Sequence, residues 1–138
     1  MDKNIIASMI DHAVLKPDAA DLDVERECAI ARKYKVASIC VKPSHVEYAA
    51  KLLKDSTVKV STVIGFPHGT TTTRCKVAEA QEAFENGASE LDMVLNIGKL
   101  LSRDFDYVEK DIRSVVDEAH CKGAIVKVIL ETALLNDE

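Results

Sequence analysis

The sequence lacks any long hydrophobic run. None of its apolar stretches approaches the roughly 20 residues that a membrane-spanning helix needs. The short apolar patch in the opening segment MDKNIIASMIDH has charges on both flanks and no cleavage-site pattern, so it does not fit a signal peptide. These absences predict a cytoplasmic protein that has no membrane partner.

Clusters of basic residues are also missing. The chain carries 18 lysines and arginines against 23 aspartates and glutamates, for a formal net charge of -5. Its basic residues are interleaved with acidic ones. Because binding to nucleic acid phosphates draws on clustered lysine and arginine, the acidic balance argues against nucleic acid as the main partner.

A metal-binding arrangement of cysteines is also missing. The four cysteines lie far apart with no C-x-x-C motif, and the histidines show no spacing typical of metal ligands. This pattern predicts reduced thiols in the protein interior rather than a disulfide or metal framework. The residues concerned are Cys28, Cys40, Cys75 and Cys121, with His12, His45, His68 and His120.

Linkers and low-complexity segments are absent as well. The 138 residues are 47% hydrophobic, which excludes a disordered chain. A chain of this length buries roughly two thirds of its unfolded surface when it folds as one unit. We therefore expect a single domain over residues 1–138.

What the sequence does contain is a regular alternation of apolar runs and helical segments. Such alternation is typical of repeated βα units that form a parallel sheet. The predicted strands cover 11–15, 37–41, 58–66, 90–96 and 124–131. The predicted helices cover 3–9, 22–34, 44–54, 71–86 and 105–122, the third with Ser44 as its N-cap and the fourth with threonine caps.

The alternation leaves two α/β architectures open. Five βα units can be the N-terminal part of a (β/α)8 TIM-type barrel, whose usual length is near 250 residues. They can also form an open flavodoxin-like sheet with helices on both faces. A nucleotide-binding module of that open fold has little support, because the turn GFPHG lacks both the P-loop lysine and the G-x-G-x-x-G pattern.

Two charged residues stand inside predicted strands. Asp92 lies between Leu91 and Met93, and strand alternation places it on the face opposite these apolar neighbours. Lys127 in the next strand lies on the same face, so the two side chains are expected to meet across adjacent strands. One interpretation is a buried ion pair that fixes the strand register. The other, which we favour, is a proton-transfer pair, because burial and a charged neighbour tune the pKa of both groups.

Asp11 and Cys40 are weaker candidates for the same face. Asp11 opens the first predicted strand and has an alternative interpretation as a helix cap. Cys40 lies in the second strand and points toward Asp92 if that side is a barrel interior. A buried thiol is usually only a small apolar side chain, so Cys40 by itself indicates little.

Six segments in order closely resemble the deoxyribose-phosphate aldolase family. They are IDHAVLKP (10–17), ASICVKPSHV (37–46), VSTVIGFPHGTTTTRCK (60–76), GASELDMVLNIGKL (87–100), YVEKDIRSVV (107–116) and VKVILETALL (126–135). The resemblance implies a (β/α)8 class I aldolase that uses a lysine Schiff base and needs no metal or organic cofactor. The implied reaction is reversible cleavage of 2-deoxy-D-ribose 5-phosphate to D-glyceraldehyde 3-phosphate and acetaldehyde.

The same resemblance implies roles for four residues. Asp92 matches the family's proton-relay aspartate, and Lys127 matches an active-site lysine that is not the nucleophile. Asp11 and Cys40 match residues that line the substrate cavity. Ala13 stands where the family commonly has threonine, so this chain lacks a hydroxyl group at that position.

Both lysine motifs of the family's sixth and seventh strands, K-T-S-T-G and V-K-A-[SA]-G-G, are absent from these 138 residues. The Schiff-base lysine is therefore missing, and Lys127 is the only candidate for a substitute amine. Two expectations follow. Either another polypeptide completes the active site for the phosphorylated sugar, or the chain is a non-catalytic half-barrel. The open sheet edges of such a half-barrel predict self-association into a homo-oligomer.

Overall fold

The computed structural model describes residues 2–136 and contains one five-stranded parallel sheet. Its strands are β1 (Asp11–Val14), β2 (Ser38–Val41), β3 (Lys59–Ile64), β4 (Glu90–Val94) and β5 (Ile125–Ile129). Each strand coincides with a predicted one to within two residues at either end. The apolar runs thus placed every strand of the sheet correctly.

The described helices fill the intervals between these strands. They are α1 (Lys3–Ala7), α2 (Asp21–Tyr34), α3 (Val46–Leu52), α4 (Thr73–Glu85), α5 (Ile97–Leu101) and α6 (Phe105–His120). Two short 3-10 helices cover Pro43–His45 and Thr132–Leu134. Helix α5 was not predicted, because five residues are too few to show a helical period. Its N-cap is Asn96, whose side-chain oxygen accepts a hydrogen bond from the Lys99 amide at 3.1 Å.

Of the two predicted helix caps, the structure confirms one and contradicts the other. Thr72 is the N-cap of α4 and accepts a hydrogen bond from the amide of Cys75, as expected. The prediction for Ser44 is wrong. Ser44 lies within the 3-10 helix that precedes α3, and the N-cap position of α3 is His45, which makes no side-chain capping bond. Pro43 fixes the start of that 3-10 turn, because its φ angle suits a first helical position.

The strand order excludes the flavodoxin-like alternative. The strands pair in the order β1-β2-β3-β4-β5, so each strand lies beside the next one in the sequence. A flavodoxin-like sheet instead has the order 2-1-3-4-5. The observed order is the one that a (β/α)8 barrel uses.

Alternate residues of the strands face two different environments. One face packs under the helices in two apolar clusters, the first with α2 and α3 and the second with α4 and α6. The second cluster contains Leu91 and Met93, which confirms the predicted orientation of β4. The opposite face carries polar side chains instead, among them Ser38, Ser61 and Asp92.

The polar face is concave. Strands β1 and β5 are the outermost strands of the sheet, yet Lys127 Nζ lies 2.7 Å from Asp11 Oδ2. With adjacent strands about 4.8 Å apart, a flat sheet would hold its outer strands roughly 19 Å apart. The sheet is therefore strongly curved, as in a barrel wall, and its polar face lines the inside of the curve.

The described helices show no membrane span. Within residues 2–136, no helix combines the length and the apolar character needed to cross a bilayer.

Candidate active site

Lys127 lies at the centre of a cluster of carboxylates on the concave face. Its ammonium donates a hydrogen bond to Asp11 Oδ2 at 2.7 Å. The same nitrogen lies 3.0 Å from Asp92 Oδ1 and 3.1 Å from Glu90 Oε2. One ammonium therefore has three carboxylate neighbours, contributed by β1 and β4.

Strand pairing brings these groups together. Asp92 and Lys127 are direct partners in the β4–β5 register, as the sequence predicted. Glu90 precedes Asp92 by two residues and so shares its face. Asp11 is held from its other side, because Ser38 Oγ of the neighbouring strand donates to Asp11 Oδ1 at 2.6 Å. Asp11 is thus a member of the cluster, and the alternative interpretation as a helix cap does not apply.

The contact between Asp92 and Lys127 is an ion pair rather than an aligned hydrogen bond. The two atoms are 3.0 Å apart, but within the described residues Asp92 Oδ1 has no partner in hydrogen-bonding geometry. The Asp92 side chain is 13% exposed and that of Lys127 is 32% exposed. Asp92 Oδ1 is thus buried beside the Lys127 ammonium on the concave face.

The surroundings of Lys127 hold it as an ammonium. Partial burial acts to lower its pKa, but the hydrogen bond to Asp11 and the contacts with Asp92 and Glu90 outweigh this effect. The net result is a pKa raised above 10.5. An amine must be neutral to attack a carbonyl carbon, so these surroundings argue against Lys127 as the substitute nucleophile considered from the sequence.

The same contacts lower the pKa of Asp11. Partial burial acts to raise it, but the hydrogen bonds from Lys127 and Ser38 outweigh burial, so the pKa falls below 3.8. A carboxyl group with a lowered pKa in the folded state stabilises the fold above its unfolded pKa. That contribution is lost as the pH falls through the folded pKa.

This shift leads to a test of pH dependence. Above pH 3.8 we expect Asp11→Asn to unfold at lower urea concentration than the unsubstituted chain, because the variant lacks the ion pair with Lys127. The difference should shrink as the pH falls below 3.8 and should approach zero only below the lowered pKa of the folded state, where Asp11 is neutral. A difference that stays constant from pH 7 down to pH 3 would contradict the ion pair.

Cys40 lies on the same concave face and is 3% exposed. It pairs in register with Ala13 on one side and with Ser61 on the other. Burial, and then the negative charge of the nearby Asp92, raises the pKa of the Cys40 thiol to about 12. The thiol therefore stays protonated at neutral pH, and its chemical reactivity is low.

The cysteines provide a second test. We expect a disulfide reagent at pH 8 to modify the exposed Cys75 and Cys121 rapidly. The buried Cys28 and Cys40 should react only after denaturant is added. The Cys75→Ser/Cys121→Ser variant isolates the buried pair, and rapid modification of that variant without denaturant would contradict the burial of Cys40.

Sequence alternation placed Ser38 on the same side as Cys40 and Asp92, but it missed Glu90 and Ser61 as members of this face. The signal was available, because each stands at a spacing of two from a residue on the same face or beside one in register. Among the described residues, Ser61 Oγ is buried without a hydrogen-bond partner. Its position beside Cys40 adds a further polar group to the inner surface.

A buried ion pair lies outside the cluster and was also missed. Lys76 of α4 and Asp111 of α6 are both fully buried, and Lys76 Nζ lies 2.6 Å from Asp111 Oδ2. Helical spacing gave a signal here too, since Lys76 shares the buried face of α4 with Ala80 and Ala83. Lysine is rarely fully buried, so the residue type by itself gave no reason to expect a buried side chain at this position.

The histidines form no metal site in the part of the chain that the structure describes. His12 Nε2 lies 2.7 Å from Glu27 Oε2, and His45 Nε2 lies 3.2 Å from Asp21 Oδ1. All four cysteines are free. These histidines belong to pairs in the helix layer, away from the Lys127 cluster.

A carboxylate beside a fixed ammonium is suited to moving protons. The ammonium of Lys127 lies 3.0 Å from Asp92, and a carboxylate in such a position can exchange protons with a substrate hydroxyl or a water molecule on the concave face. The cluster has no neutral amine, so it is not equipped to form an imine by itself. The geometry therefore provides acid–base chemistry without a nucleophile.

Comparison with known proteins connects this chain to one enzyme family. The family model described as DeoC/LacD family aldolase matches residues 5–138. A deoxyribose-phosphate aldolase of Clostridium perfringens (strain SM101 / Type A) is 54% identical over 138 residues. One from Caldicellulosiruptor saccharolyticus is 50% identical over 139 residues. Each match covers 100% of this chain.

Solved structures agree in fold. The tetrameric deoxyribose phosphate aldolase of Aeropyrum pernix superposes with a TM-score of 0.89 at 34% identity, covering 99% of this chain and 56% of that one. A protein from Coccidioides immitis assigned as a deoxyribose-phosphate aldolase superposes with a TM-score of 0.93 at 43% identity, covering 99% and 53%. The five βα units are thus part of a TIM-barrel aldolase fold.

The chain spans only part of its relatives. It covers 61% of the Clostridium perfringens protein and 63% of the Caldicellulosiruptor saccharolyticus protein. Strand order, curvature and family match nevertheless agree over nearly the whole of the 138 residues. The chain belongs to the DeoC/LacD aldolase family.

Proposed function

We propose that this chain supplies the acid–base part of a deoxyribose-phosphate aldolase. The reaction is the reversible cleavage of 2-deoxy-D-ribose 5-phosphate to D-glyceraldehyde 3-phosphate and acetaldehyde. The observation that carries the proposal is the ion pair of Asp92 with Lys127, at 3.0 Å on the concave face of a barrel wall. The two named relatives of the previous section are deoxyribose-phosphate aldolases, which supports the same reaction.

The chemistry requires an amine that this chain does not provide. In a class I aldolase, a neutral lysine forms an imine with C1 of the sugar phosphate, and a base removes the proton of the C3 hydroxyl. The bond between C2 and C3 then breaks, which releases glyceraldehyde 3-phosphate and leaves an enamine. The enamine takes a proton at C2, and hydrolysis of the resulting imine releases acetaldehyde. We assign the imine-forming lysine to a polypeptide segment outside these 138 residues, in keeping with the absence of the K-T-S-T-G motif.

Each of the four site residues has a role in this scheme. Asp92 transfers protons to and from the substrate through its carboxylate on the concave face. Lys127 acts as a fixed cation beside the carboxylate of Asp92. Asp11 orients Lys127 through their hydrogen bond and, with Cys40, lines the cavity for the phosphorylated sugar.

The open sides of the sheet determine how the site is completed. Within residues 2–136, β1 and β5 each pair with a strand on one side only. Apolar residues beside these edges are exposed, including Ile10 at 42% and Ile125 at 52%. We expect further βα units to cover both edges and so close the barrel over the Lys127 cluster. The completed protein would act in the cytoplasm, where four free cysteines stay reduced, and would assemble as a homo-oligomer.

A second candidate function is a non-catalytic half-barrel that self-associates. The same two open edges favour it, because unpaired strand edges and exposed apolar residues promote association between copies. In that case Asp92 and Lys127 would only fix the strand register.

Joining the chain to the missing part of a relative distinguishes the two functions. The completed barrel consists of this chain followed by the part of the Clostridium perfringens protein that the match does not cover. We expect it to cleave 2-deoxyribose 5-phosphate in an assay coupled to reduction of glyceraldehyde 3-phosphate, and we expect the chain alone to show no turnover. A completed barrel that folds but has no activity would favour the half-barrel. Size-exclusion chromatography of the chain alone measures its self-association.

A further inference from the structure

The buried Lys76 connects three parts of the molecule. Its ammonium donates to Asp111 Oδ2 of α6 at 2.6 Å and to the carbonyl oxygen of Val94 at 2.9 Å. Asp111 accepts a second hydrogen bond through its other oxygen, from Thr73 Oγ1 at 2.8 Å. Both charges are fully buried and both are satisfied by polar partners.

Val94 is the last residue of β4 and follows Asp92 by two positions. Its carbonyl lies at the carboxyl end of the sheet, where TIM-barrel enzymes place their catalytic groups. Lys76 therefore ties the end of the strand that bears Asp92 to two helices of the outer layer. Asp92, whose side chain lies on the concave face, is only two residues before the Val94 carbonyl that Lys76 binds.

The loop after β3 is packed against the same lysine. Gly65 has a φ of +64°, and a Cβ atom at that position would lie 2.8 Å from Lys76 Cε. Further along the loop, a Cβ atom on Gly69 would lie 1.9 Å from the carbonyl oxygen of Leu95. Both glycines thus permit a close approach of this loop to the lysine stem and to the backbone that follows β4.

Stability alone does not account for a buried pair of this kind. Desolvation of two charges offsets much of their attraction, and an apolar pair of similar volume is often equally stable. A charged pair has directed hydrogen bonds, however, and an apolar pair does not. What Lys76 adds is therefore a fixed position for the Val94 carbonyl.

We propose that Lys76, held by Asp111, is a positioning residue that fixes the end of β4 so that Asp92 faces Lys127. The inference rests on the proposed function only for its catalytic consequence. The positional effect itself concerns contacts within this chain. The hydrogen bonds of Lys76 go to Asp111 and to the Val94 carbonyl, so its effect on the Lys127 cluster passes through β4.

The test replaces the pair without leaving a lone buried charge. The Lys76→Met/Asp111→Leu variant removes both charges, and Lys51→Met/Glu47→Leu is the matched control on an exposed pair. NMR of 13C-labelled lysine follows the titration of Lys127 upward from pH 10.5, with Lys127→Gln identifying its signal. We expect the proton affinity of Lys127 to fall roughly tenfold, about one pKa unit, in the Lys76 variant only. A folded variant in which Lys127 titrates as in the unsubstituted chain would overturn the proposal.

A milder variant keeps the proposal testable if the double variant does not fold. Thr73→Val removes one hydrogen bond to Asp111 with little change in shape, and it should shift Lys127 in the same direction by a smaller amount. No shift in folded Thr73→Val, when the double variant is unfolded, would also overturn the proposal. In the completed barrel the double variant should lower kcat while leaving KM unchanged. An inactive completed barrel would count against the proposed function, whereas the Lys127 titration decides the positioning role separately.

Discussion

Lys76→Met is expected to lower the free energy of unfolding by about 3–5 kcal/mol, because it leaves the Asp111 carboxylate buried without a cationic partner. The variant also removes the hydrogen-bond donor to the Val94 carbonyl. The methionine side chain has a similar length but cannot satisfy either oxygen. Urea unfolding of the chain at pH 7, followed by circular dichroism, measures the effect.

Two comparisons isolate the cause of this loss. Lys51→Met changes an exposed lysine in an ordinary helical pair and should alter the free energy of unfolding by no more than about 0.5 kcal/mol. Adding Asp111→Leu to Lys76→Met should recover most of the loss, since the second substitution removes the unpaired charge. A loss below about 1 kcal/mol for Lys76→Met alone would contradict the burial of the pair.

The second large effect concerns catalysis. Asp92→Asn in the completed barrel should reduce kcat by roughly 10²–10⁴-fold, because an amide cannot accept and return a proton as a carboxylate does. The substitution preserves the shape of the side chain, so KM for 2-deoxyribose 5-phosphate should change little. Steady-state kinetics with the coupled assay measures both constants.

Asp55→Asn is the matched control for this variant. Asp55 is exposed and lies in the turn between α3 and β3. It is not a member of the Lys127 cluster. Its replacement should leave kcat unchanged. If Asp92→Asn lowers kcat by less than tenfold while remaining folded, Asp92 does not transfer the proton.

The sequence was sufficient to predict the sheet and the central pair of the site. Strand alternation placed Asp92 and Lys127 on one face, and their register pairing confirms that they meet. This inference needed only local information, because adjacent parallel strands of a βα repeat lie side by side. The same alternation places Glu90 on this face, although the sequence analysis did not single it out.

Other features depend on contacts that local patterns do not contain. The bond between Asp11 and Lys127 joins residues 116 positions apart and exists only because the sheet is curved. The burial of Lys76 depends on Asp111, which is 35 positions further along the chain. Neither residue alone distinguishes a buried lysine from an exposed one, so the pair became apparent only in the folded structure.

The structure restricts the chemical roles that are open to Lys127. The sequence alone allowed it to serve as a substitute nucleophile. Three carboxylates within 3.1 Å of its nitrogen favour the ammonium form instead. We therefore propose that this chain contributes the proton-transferring groups, while a lysine from another segment forms the imine.

Trapping the imine tests that claim most directly. The completed barrel is incubated with 2-deoxyribose 5-phosphate, reduced with borohydride and digested, and mass spectrometry then locates the modified lysine. We expect an adduct on the added segment and none on the 138 residues of this chain. An adduct on Lys127 would contradict the assignment of the nucleophile to the added segment, because it would show that the amine within the carboxylate cluster forms the imine.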